Sequence, residues 1–195
     1  ENPVLISSGG FASAGPMLAA SKKNIPAYML NVDIVPGKAN KFLAKYAKKI
    51  FVQFEHTISR FGKNKNKAIT TGCPLRRDFF NADKSKAWGE LNLDPAKKTL
   101  LITGASSGSA NINNMMARLI DKLAPYSEQW QVVHIAGAAH KKVMEEAYSG
   151  TKMSFIPVEY YHDMPSLLGC TDLVIGRAGA VSVAEYDAAA VPAIC

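Results

Sequence analysis

The feature that most constrains the fold is the alternation of strand-length apolar runs with helical segments along almost the whole chain. The strand-length runs are rich in β-branched and aromatic residues and lie at 4–7, 27–32, 50–54, 68–71, 99–103, 130–136, 153–160 and 172–176. The helical segments repeat apolar residues every three or four positions and lie at 14–23, 38–48, 83–91, 111–123, 140–148, 164–170 and 182–190. Strands that alternate with helices of this length predict βαβ units, and therefore parallel sheets in an α/β protein.

The segment 73–80 separates this alternation into two series. It contains Pro74 and two arginines, and it is predicted to connect two α/β domains at 1–72 and 81–195. The first series has only four strands, and the second ends at 192–195 within what is predicted to be another buried strand. We therefore expect both domains to be incomplete.

The charge of the chain favours an anionic partner. The net charge is +7, and the lysines cluster at 21–24, 38–49, 63–67 and 84–98. Such clusters suit nucleotide phosphates or anionic lipid headgroups, although solvated helix faces explain most of them equally well. Nucleic acid is disfavoured, because no basic and aromatic reader motif accompanies the charge.

Several other classes are excluded by composition. No apolar run approaches the ~18 residues of a membrane span, and no secretory signal opens the sequence. Three scattered cysteines provide neither a disulfide framework nor a zinc site. No Asp-x-Asp motif suggests a metal, and no Gly-x-Gly-x-x-Gly motif suggests a dinucleotide oxidoreductase.

Two turns of small residues follow predicted strands. Residues 104–109 read Gly-Ala-Ser-Ser-Gly-Ser, and Arg177 precedes Ala-Gly-Ala-Val-Ser at 178–182. Free amides at a helix N-terminus bind anions, and the carboxyl edge of a parallel sheet is where ligands bind. The pair predicts a nucleotide-phosphate site. The alternative is a capping box of Ser182 and Glu185, which would leave Arg177 unexplained.

These motifs resemble those of the MurG family, the transferases that move N-acetylglucosamine from its UDP ester to a lipid-linked muramyl peptide. The similar segments occur in family order at 9–16, 40–45, 72–76, 104–108, 159–164 and 177–185. The last of these, Arg-Ala-Gly-Ala-Val-Ser-Val-Ala-Glu, is the most specific. The resemblance extends over essentially the whole sequence.

The resemblance implies a GT-B glycosyltransferase with two Rossmann-like domains. Residues 81–195 would bind the UDP-sugar donor, and residues 1–72 would belong to the acceptor-binding domain. Transfer would be inverting and would need neither a metal nor a cofactor. The protein would be peripheral at the cytoplasmic face of the plasma membrane, in contact with anionic lipid and a lipid-linked acceptor.

The resemblance also implies roles for individual residues. Arg177 would stabilise the leaving UDP, and the general base would precede residue 1. The donor-binding positions would be Arg76, Ser106, Tyr161, Ala180, Val181, Ser182 and Glu185, with Glu185 at the ribose and Tyr161 beside uracil. The acceptor-side loop would contain Gly9, Gly10, Ser13 and Asp33.

Three departures from the family pattern leave the acceptor open. The family's His-Glu-Gln-Asn is Leu-Asn-Val-Asp at 30–33, Cys73 replaces an asparagine, and Ser107 replaces a glutamine. The alternatives are a diacylglycerol or other lipid glycosyltransferase of the same superfamily, and a non-catalytic nucleotide-binding protein. We expect this fragment alone to be inactive in transfer.

Overall fold

The structure is a computed structural model that describes residues 2–104 and 108–195. Ser106 and Ser107, both predicted to lie near the donor, fall outside the described residues. The chain divides into two compact units, Glu1–Pro74 and Leu75–Cys195. Among the described residues, no helix is both long and apolar enough to cross a bilayer.

The first unit is a four-stranded parallel sheet flanked by short helices. Its strands, in spatial order, are β1 (Leu5–Ser7), β2 (Ala27–Asn31), β3 (Lys49–Val52) and β4 (Ala68–Thr70). Its helices are α1 (Ala14–Lys22), α2 (Lys38–Leu43) and α3 (Glu55–Ser59). Met29 on β2 pairs in register with Ser7 and Ile50, and it is completely buried. The sheet is parallel throughout, as the sequence predicts.

The buried face of α2 differs from the predicted one. The helical spacing of 38–48 predicts that Phe42 packs inward, but its side chain is 53% exposed. Asn40 and Leu43 are buried instead, and Lys45 Nζ lies 4.6 Å from the Phe42 ring centroid. The α-helix ends at Leu43 and a 3-10 turn follows, so the spacing of an uninterrupted helix does not apply.

The second unit is a five-stranded parallel sheet. Its strands are β5 (Lys98–Thr103), β6 (Trp130–Ile135), β7 (Ser154–Val158), β8 (Leu173–Gly176) and β9 (Ala193–Ile194). Its helices are α4 (Lys84–Glu90), α5 (Ala110–Leu123), α6 (Lys141–Tyr148), α7 (Met164–Gly169) and α8 (Ala180–Ala188). The spatial order is β7-β6-β5-β8-β9, and Thr103 pairs with Gly176. The order reverses between β5 and β8, which is the topological switch point of a Rossmann-like sheet.

The centre of this sheet is buried because helices cover both of its faces. Leu101 and Val133 belong to one core cluster, and Ile102 and Val132 to another. Helix α5 contributes Met116, which is 1% exposed. Met115, predicted to be a core residue, is 41% exposed. Asn113 of the same helix faces the core instead, and its hydrogen-bonded side chain is only 1% exposed.

Strand β9 is shorter and more exposed than predicted. It pairs with β8 at the edge of the sheet, and Ile194 is 58% exposed. An edge strand has only one neighbour, so its apolar residues need not be covered.

Helix α8 begins two residues before the predicted start. Its N-cap is Gly179, which has an extended backbone and no side-chain cap, and the Gly179 carbonyl accepts a hydrogen bond from Val183 N–H at 2.9 Å. The capping-box interpretation of Ser182 and Glu185 is therefore wrong. Both residues lie inside the helix and line the adjacent cavity, and the Ser182 side chain is hydrogen-bonded to Tyr186.

Candidate functional site

A cavity of about 410 Å³ opens at the carboxyl edge of the second sheet, beside the switch point. Thr103 ends β5 and Ile135 ends β6, so two neighbouring strands form its floor. Further lining side chains come from α8, from the start of α7 and the segment before it, and from the segment before α4; they are Ser182, Glu185, Tyr186, Tyr160, Tyr161, His162, Met164 and Arg76. The cavity therefore lies where a sheet of this topology binds ligands.

The N-terminal turn of α8 contributes to this edge of the sheet. The first helical hydrogen bond is donated by Val183 N–H, so the amides of Val181 and Ser182 precede it. A helix N-terminus carries a partial positive charge, and its amides can bind an anion. Helix α8 also packs closely on β8, because a Cβ on Gly176 would lie 2.6 Å from the Tyr186 hydroxyl.

Glu185 and Arg76 provide opposite charges to the cavity. Burial raises the pKa of Glu185, and the positive charge of Arg76 opposes that shift. The Arg76 guanidinium carbon also lies 5.6 Å from the Phe79 ring centroid, which restricts its position. The cavity thus offers a carboxylate acceptor and a cationic donor, which suits a ligand with hydroxyl groups and a phosphate.

The segment before α7 is anchored at both of its ends. Tyr161 is 8% exposed, and its hydroxyl donates a 2.7 Å hydrogen bond to Glu90 Oε2. Asp163 caps α7 by accepting from Ser166 N–H, and it forms a 2.6 Å ion pair with Lys86 Nζ. These contacts hold Tyr160 and His162, whose rings meet edge to face, at the cavity wall.

We expect Tyr161→Phe to lower the free energy of unfolding by about 1 kcal/mol, since one hydrogen bond of a mostly buried hydroxyl is lost. UDP affinity should change by less than about twofold, because the ring that lines the cavity is kept. Urea denaturation and calorimetric titration measure the two quantities. Tyr126→Phe, at a 52% exposed tyrosine of the same unit, is the control and should change neither. A large loss of UDP affinity in Tyr161→Phe would show that the hydroxyl itself contacts the ligand.

The structure brings together only part of the predicted donor site. Arg76, Tyr161, Ser182 and Glu185 all line the cavity. Ala180 and Val181 lie in the first turn of α8 without lining it, and Arg177 is exposed and outside the lining. Sequence reasoning did not assign six other lining residues to the donor site: Thr103, Ile135, Tyr160, His162, Met164 and Tyr186. For the first three, the only available signal was their position at or just after the end of a strand in a parallel sheet.

Gly104 and Gly108, which follow β5, are required for close packing of the protein's own backbone. A Cβ on Gly104 would lie 2.2 Å from Ser109 N. A Cβ on Gly108 would lie 2.2 Å from the Ala136 carbonyl oxygen, and Gly108 has a φ of +72°. Both positions therefore exclude a side chain because the chain packs on itself there.

A buried polar chain lies beside this turn. Asn113 Nδ2 donates to the Ala136 carbonyl at 3.0 Å, and Asn113 Oδ1 lies 3.0 Å from His134 Nε2. His134 Nδ1 is hydrogen-bonded to the Tyr148 hydroxyl, and the Tyr148 ring stacks on Phe155. Burial lowers the pKa of His134 to about 4, so its ring is neutral at pH 7. His134 is a structural residue in this fold.

The depressed pKa of His134 predicts a pH-dependent stability. The ring is neutral in both states above its ordinary pKa of 6.5, and below that pH the unfolded chain binds a proton that the folded chain excludes. The free energy of unfolding should therefore fall between pH 6.5 and 4, by about 3 kcal/mol at 1.36 kcal/mol per pKa unit. Urea denaturation across this range should show a shallower dependence for His134→Gln, whereas His56→Gln, at an exposed position, should retain the wild-type dependence. Identical slopes in all three proteins would contradict the assignment.

The predicted acceptor-side residues meet in the first unit. Gly10 N–H donates to Asn40 Oδ1 at 3.0 Å, and Ser13 Oγ donates to the Gly9 carbonyl at 2.7 Å. Asn40 Nδ2 donates to Asn31 Oδ1 at 2.9 Å, and Asn31 Nδ2 donates to the Asp33 carbonyl at 2.7 Å. The glycine loop and the Asp33 segment are thus linked through two buried asparagines, which sequence reasoning did not single out.

Known proteins resemble the chain in sequence over nearly its full length. The glycosyltransferase family 28 C-terminal domain matches residues 99–195. The UDP-N-acetylglucosamine–N-acetylmuramyl-(pentapeptide) pyrophosphoryl-undecaprenol N-acetylglucosamine transferase of Staphylococcus saprophyticus is 36% identical over 98% of the chain and 52% of that protein. The Bacillus subtilis protein of the same name is 33% identical over 97% of the chain and 52% of that protein. The chain is similar to the MurG family over nearly its whole length.

Solved structures agree on the fold of this chain. The crystal structure of Acinetobacter baumannii MurG superposes with a TM-score of 0.68 at 21% identity, over 97% of this chain and 51% of that one. The UDP-GlcNAc 2-epimerase of Methanocaldococcus jannaschii superposes with a TM-score of 0.71 at 15% identity, over 97% and 60%. Two Rossmann-like units of the GT-B class are therefore confirmed. The chain spans about half the length of the curated MurG relatives that it matches.

Proposed function

We propose that the chain is part of an N-acetylglucosaminyltransferase that uses UDP-N-acetylglucosamine and a lipid-linked muramyl-peptide acceptor. The observation that carries the proposal is the cavity at the switch point of the second unit, in a chain similar to the MurG family. It combines Arg76 with Ser182 and Glu185 of the first two turns of α8, a set of groups that suits a nucleoside diphosphate. The second unit is then the donor-binding domain, and the first unit is part of the acceptor-binding domain.

In this proposal the residues act by binding and by stabilising charge. Glu185 accepts hydrogen bonds from the ribose hydroxyls, and Tyr161 forms the wall beside the base. Ser182 and the amides of Ala180 and Val181 face the diphosphate, together with Ser106. Arg177 stabilises the negative charge that develops on the departing UDP, a task for which a fixed cation needs no bound metal. Transfer is proposed to be inverting.

The acceptor has a second candidate, a diacylglycerol or related lipid. The observation that favours it is the altered acceptor motif at 30–33. Asn31, within that motif, is 2% exposed, and its amide is bonded to Asn40 and to the Asp33 backbone. That side chain is occupied by the fold, so recognition of a muramyl peptide would have to come from other residues.

Two measurements test the function. The 195-residue chain should bind UDP in calorimetric titration, with CDP and ADP as controls that bind more weakly. The full-length protein should then transfer radiolabelled N-acetylglucosamine to a lipid-linked muramyl peptide. Label that enters diacylglycerol instead would support the second candidate. An absence of UDP binding to the chain and to the full-length protein would overturn both.

We further propose that the first unit docks peripherally on anionic lipid at the cytoplasmic face of the plasma membrane. The support is an exposed surface on and after α2, with exposed Lys38, Lys41 and Lys45, a 53% exposed Phe42, and Lys45 Nζ 4.6 Å from the Phe42 ring centroid. Lysines near a membrane attract anionic headgroups, and an exposed aromatic ring can enter the interface. Co-sedimentation with vesicles that contain phosphatidylglycerol tests this. Binding that survives the Lys41→Glu/Lys45→Glu double substitution would contradict it, and Lys22→Glu/Lys23→Glu is the charge-matched control.

A further inference from the structure

We propose that Tyr186 is a positioning residue, which holds the Ser182 hydroxyl in the orientation that a bound diphosphate requires. The diphosphate rests on the proposed function, in which Ser182 faces it. The contacts of Tyr186 themselves lie within the second unit, and they are the same whatever the cavity binds.

Tyr186 and Ser182 form a pair on one face of α8. They are four residues apart, so their side chains are neighbours on the helix surface. Both line the cavity, and their side chains are hydrogen-bonded to each other. Ser182 is partly exposed and Tyr186 is only 4% exposed. Ser182 is therefore the outer group of the pair, and Tyr186 is the inner one.

The position of the Tyr186 hydroxyl is limited by the sheet as well as by the helix. A Cβ on Gly176, the last residue of β8, would lie 2.6 Å from this hydroxyl and 3.3 Å from Thr103 Cγ2. Thr103 is the last residue of β5 and pairs with Gly176. The hydroxyl thus lies at the carboxyl ends of two paired strands, in a space that a side chain at position 176 would fill. Since the ring belongs to the hydrophobic core, the hydroxyl has little freedom to move.

The direction of the hydrogen bond between the two hydroxyls follows from what a diphosphate can accept. Ionised phosphate oxygens only accept, so Ser182 must donate its single proton to the ligand. Tyr186 must then donate to Ser182 Oγ. Burial raises the pKa of Tyr186 to about 12, and the phenol therefore retains the proton that it donates. The inner hydroxyl thus leaves the Ser182 proton for the ligand, and the two successive hydrogen bonds strengthen each other.

Ser182 also has a competing arrangement. A serine hydroxyl in a helix can donate to a backbone carbonyl three or four residues earlier, which here belongs to Gly179 or Ala178. A hydroxyl that donates there cannot donate to a ligand, because it has one proton. The bond from Tyr186 holds Ser182 Oγ on the side of the inner tyrosine, and it therefore favours the arrangement that binds the anion.

A double-mutant cycle on UDP affinity tests this role. It consists of Tyr186→Phe, Ser182→Ala and their combination, measured by calorimetric titration of the 195-residue chain. Each single substitution should weaken UDP binding about 3- to 10-fold, the effect of one hydrogen bond. The double variant should bind within about twofold of Ser182→Ala, because Tyr186 acts only through Ser182.

Tyr148→Phe is the matched control for Tyr186→Phe. It removes another buried tyrosine hydroxyl of the second unit, at a residue that is 6% exposed and does not line the cavity. UDP affinity should stay within about twofold of wild type, although stability falls because a buried hydrogen bond to His134 is lost. Urea denaturation of each variant verifies that the affinities refer to folded protein.

Gly176→Ala tests the position of the hydroxyl without a ligand. The new Cβ should lower the urea midpoint of the wild-type chain, because it meets the Tyr186 hydroxyl. In the Tyr186→Phe background that hydroxyl is absent, so the loss of midpoint should be smaller by at least about half. Equal losses in the two backgrounds would contradict the placement of the hydroxyl against Gly176.

The outcomes separate this inference from the proposed function. UDP binding that depends on Glu185 but is unchanged in Tyr186→Phe would overturn the positioning role and leave the proposed function intact. Losses that multiply in the double variant would also overturn it, since Tyr186 would then act on the ligand independently of Ser182. An absence of UDP binding to the wild-type chain and to the full-length protein would overturn both.

Discussion

Gly108→Ala should destabilise the second unit by about 2–5 kcal/mol, because it combines a clash with an unfavourable backbone conformation. The new Cβ would lie 2.2 Å from the Ala136 carbonyl oxygen and 2.9 Å from the carbonyl carbon. Neither atom belongs to a flexible side chain, so the strand end or the turn must move. The φ of +72° adds a separate penalty for any residue with a Cβ. Urea denaturation of the purified chain measures the loss.

Gly89→Ala is the matched control for this substitution. Gly89 lies in α4, a Cβ added there would meet no atom within 4 Å, and its backbone is not left-handed. Alanine should leave stability unchanged or raise it by up to about 1 kcal/mol, because it is the better helix former. A Gly108→Ala protein as stable as Gly89→Ala would show that the turn can relax without cost. The tight contact with Ala136 would then have no energetic significance.

Glu185→Ala should weaken UDP binding about 10- to 100-fold, the effect expected when one or two hydrogen bonds to a charged group are lost. Glu185 lines the cavity from the second turn of α8, and burial raises the pKa of its carboxyl. A carboxylate that is partly desolvated without a ligand forms stronger hydrogen bonds once a ligand hydroxyl reaches it. The folded protein should not lose stability, since the substitution removes an unfavourably buried charge.

The control for Glu185→Ala is Asp187→Ala on the same helix. Asp187 is exposed and does not line the cavity, so UDP affinity should stay within about twofold of wild type while the net charge changes equally. Isothermal titration of both variants gives the comparison at one ionic strength. Equal affinities in the two variants would remove Glu185 from the site. Equal losses in both would indicate a general effect of charge rather than a contact with the ribose.

The fold class was predictable from the sequence because buried parallel strands leave a distinctive pattern. Residues 99–103 and 130–136 form short, mostly apolar runs of strand length, as strands covered on both faces do. The small residues that follow β5 and β8 were also visible in the sequence. The adjacency of these two strands, with Thr103 paired to Gly176, depends on strand order, which a local pattern does not contain.

The details that sequence reasoning missed depend on partners distant in the chain. Asn113 occupies a core position because the Ala136 carbonyl, 23 residues away, needs a donor. Phe42 is exposed because the α-helix ends one residue later and changes the spacing. The start of α8 was misplaced because the backbone of Gly179, rather than the side chain of Ser182, ends the preceding loop. Spacing predicts which face of a helix is apolar, but it does not reveal such pairings.

The walls of the cavity have a consequence for how members of such a family diverge. Tyr161 and Tyr186 line the cavity and also belong to the hydrophobic core of the second unit. Substitutions that reshape these walls therefore also affect folding, and selection for a stable chain preserves them whether or not the protein transfers a sugar. An exposed residue such as Arg177 is not part of the core, so its substitution should affect folding little. In related proteins that have lost catalysis, Arg177 should therefore be substituted before Tyr161 and Tyr186. The shape of the cavity should be retained because the hydrophobic core requires these two side chains.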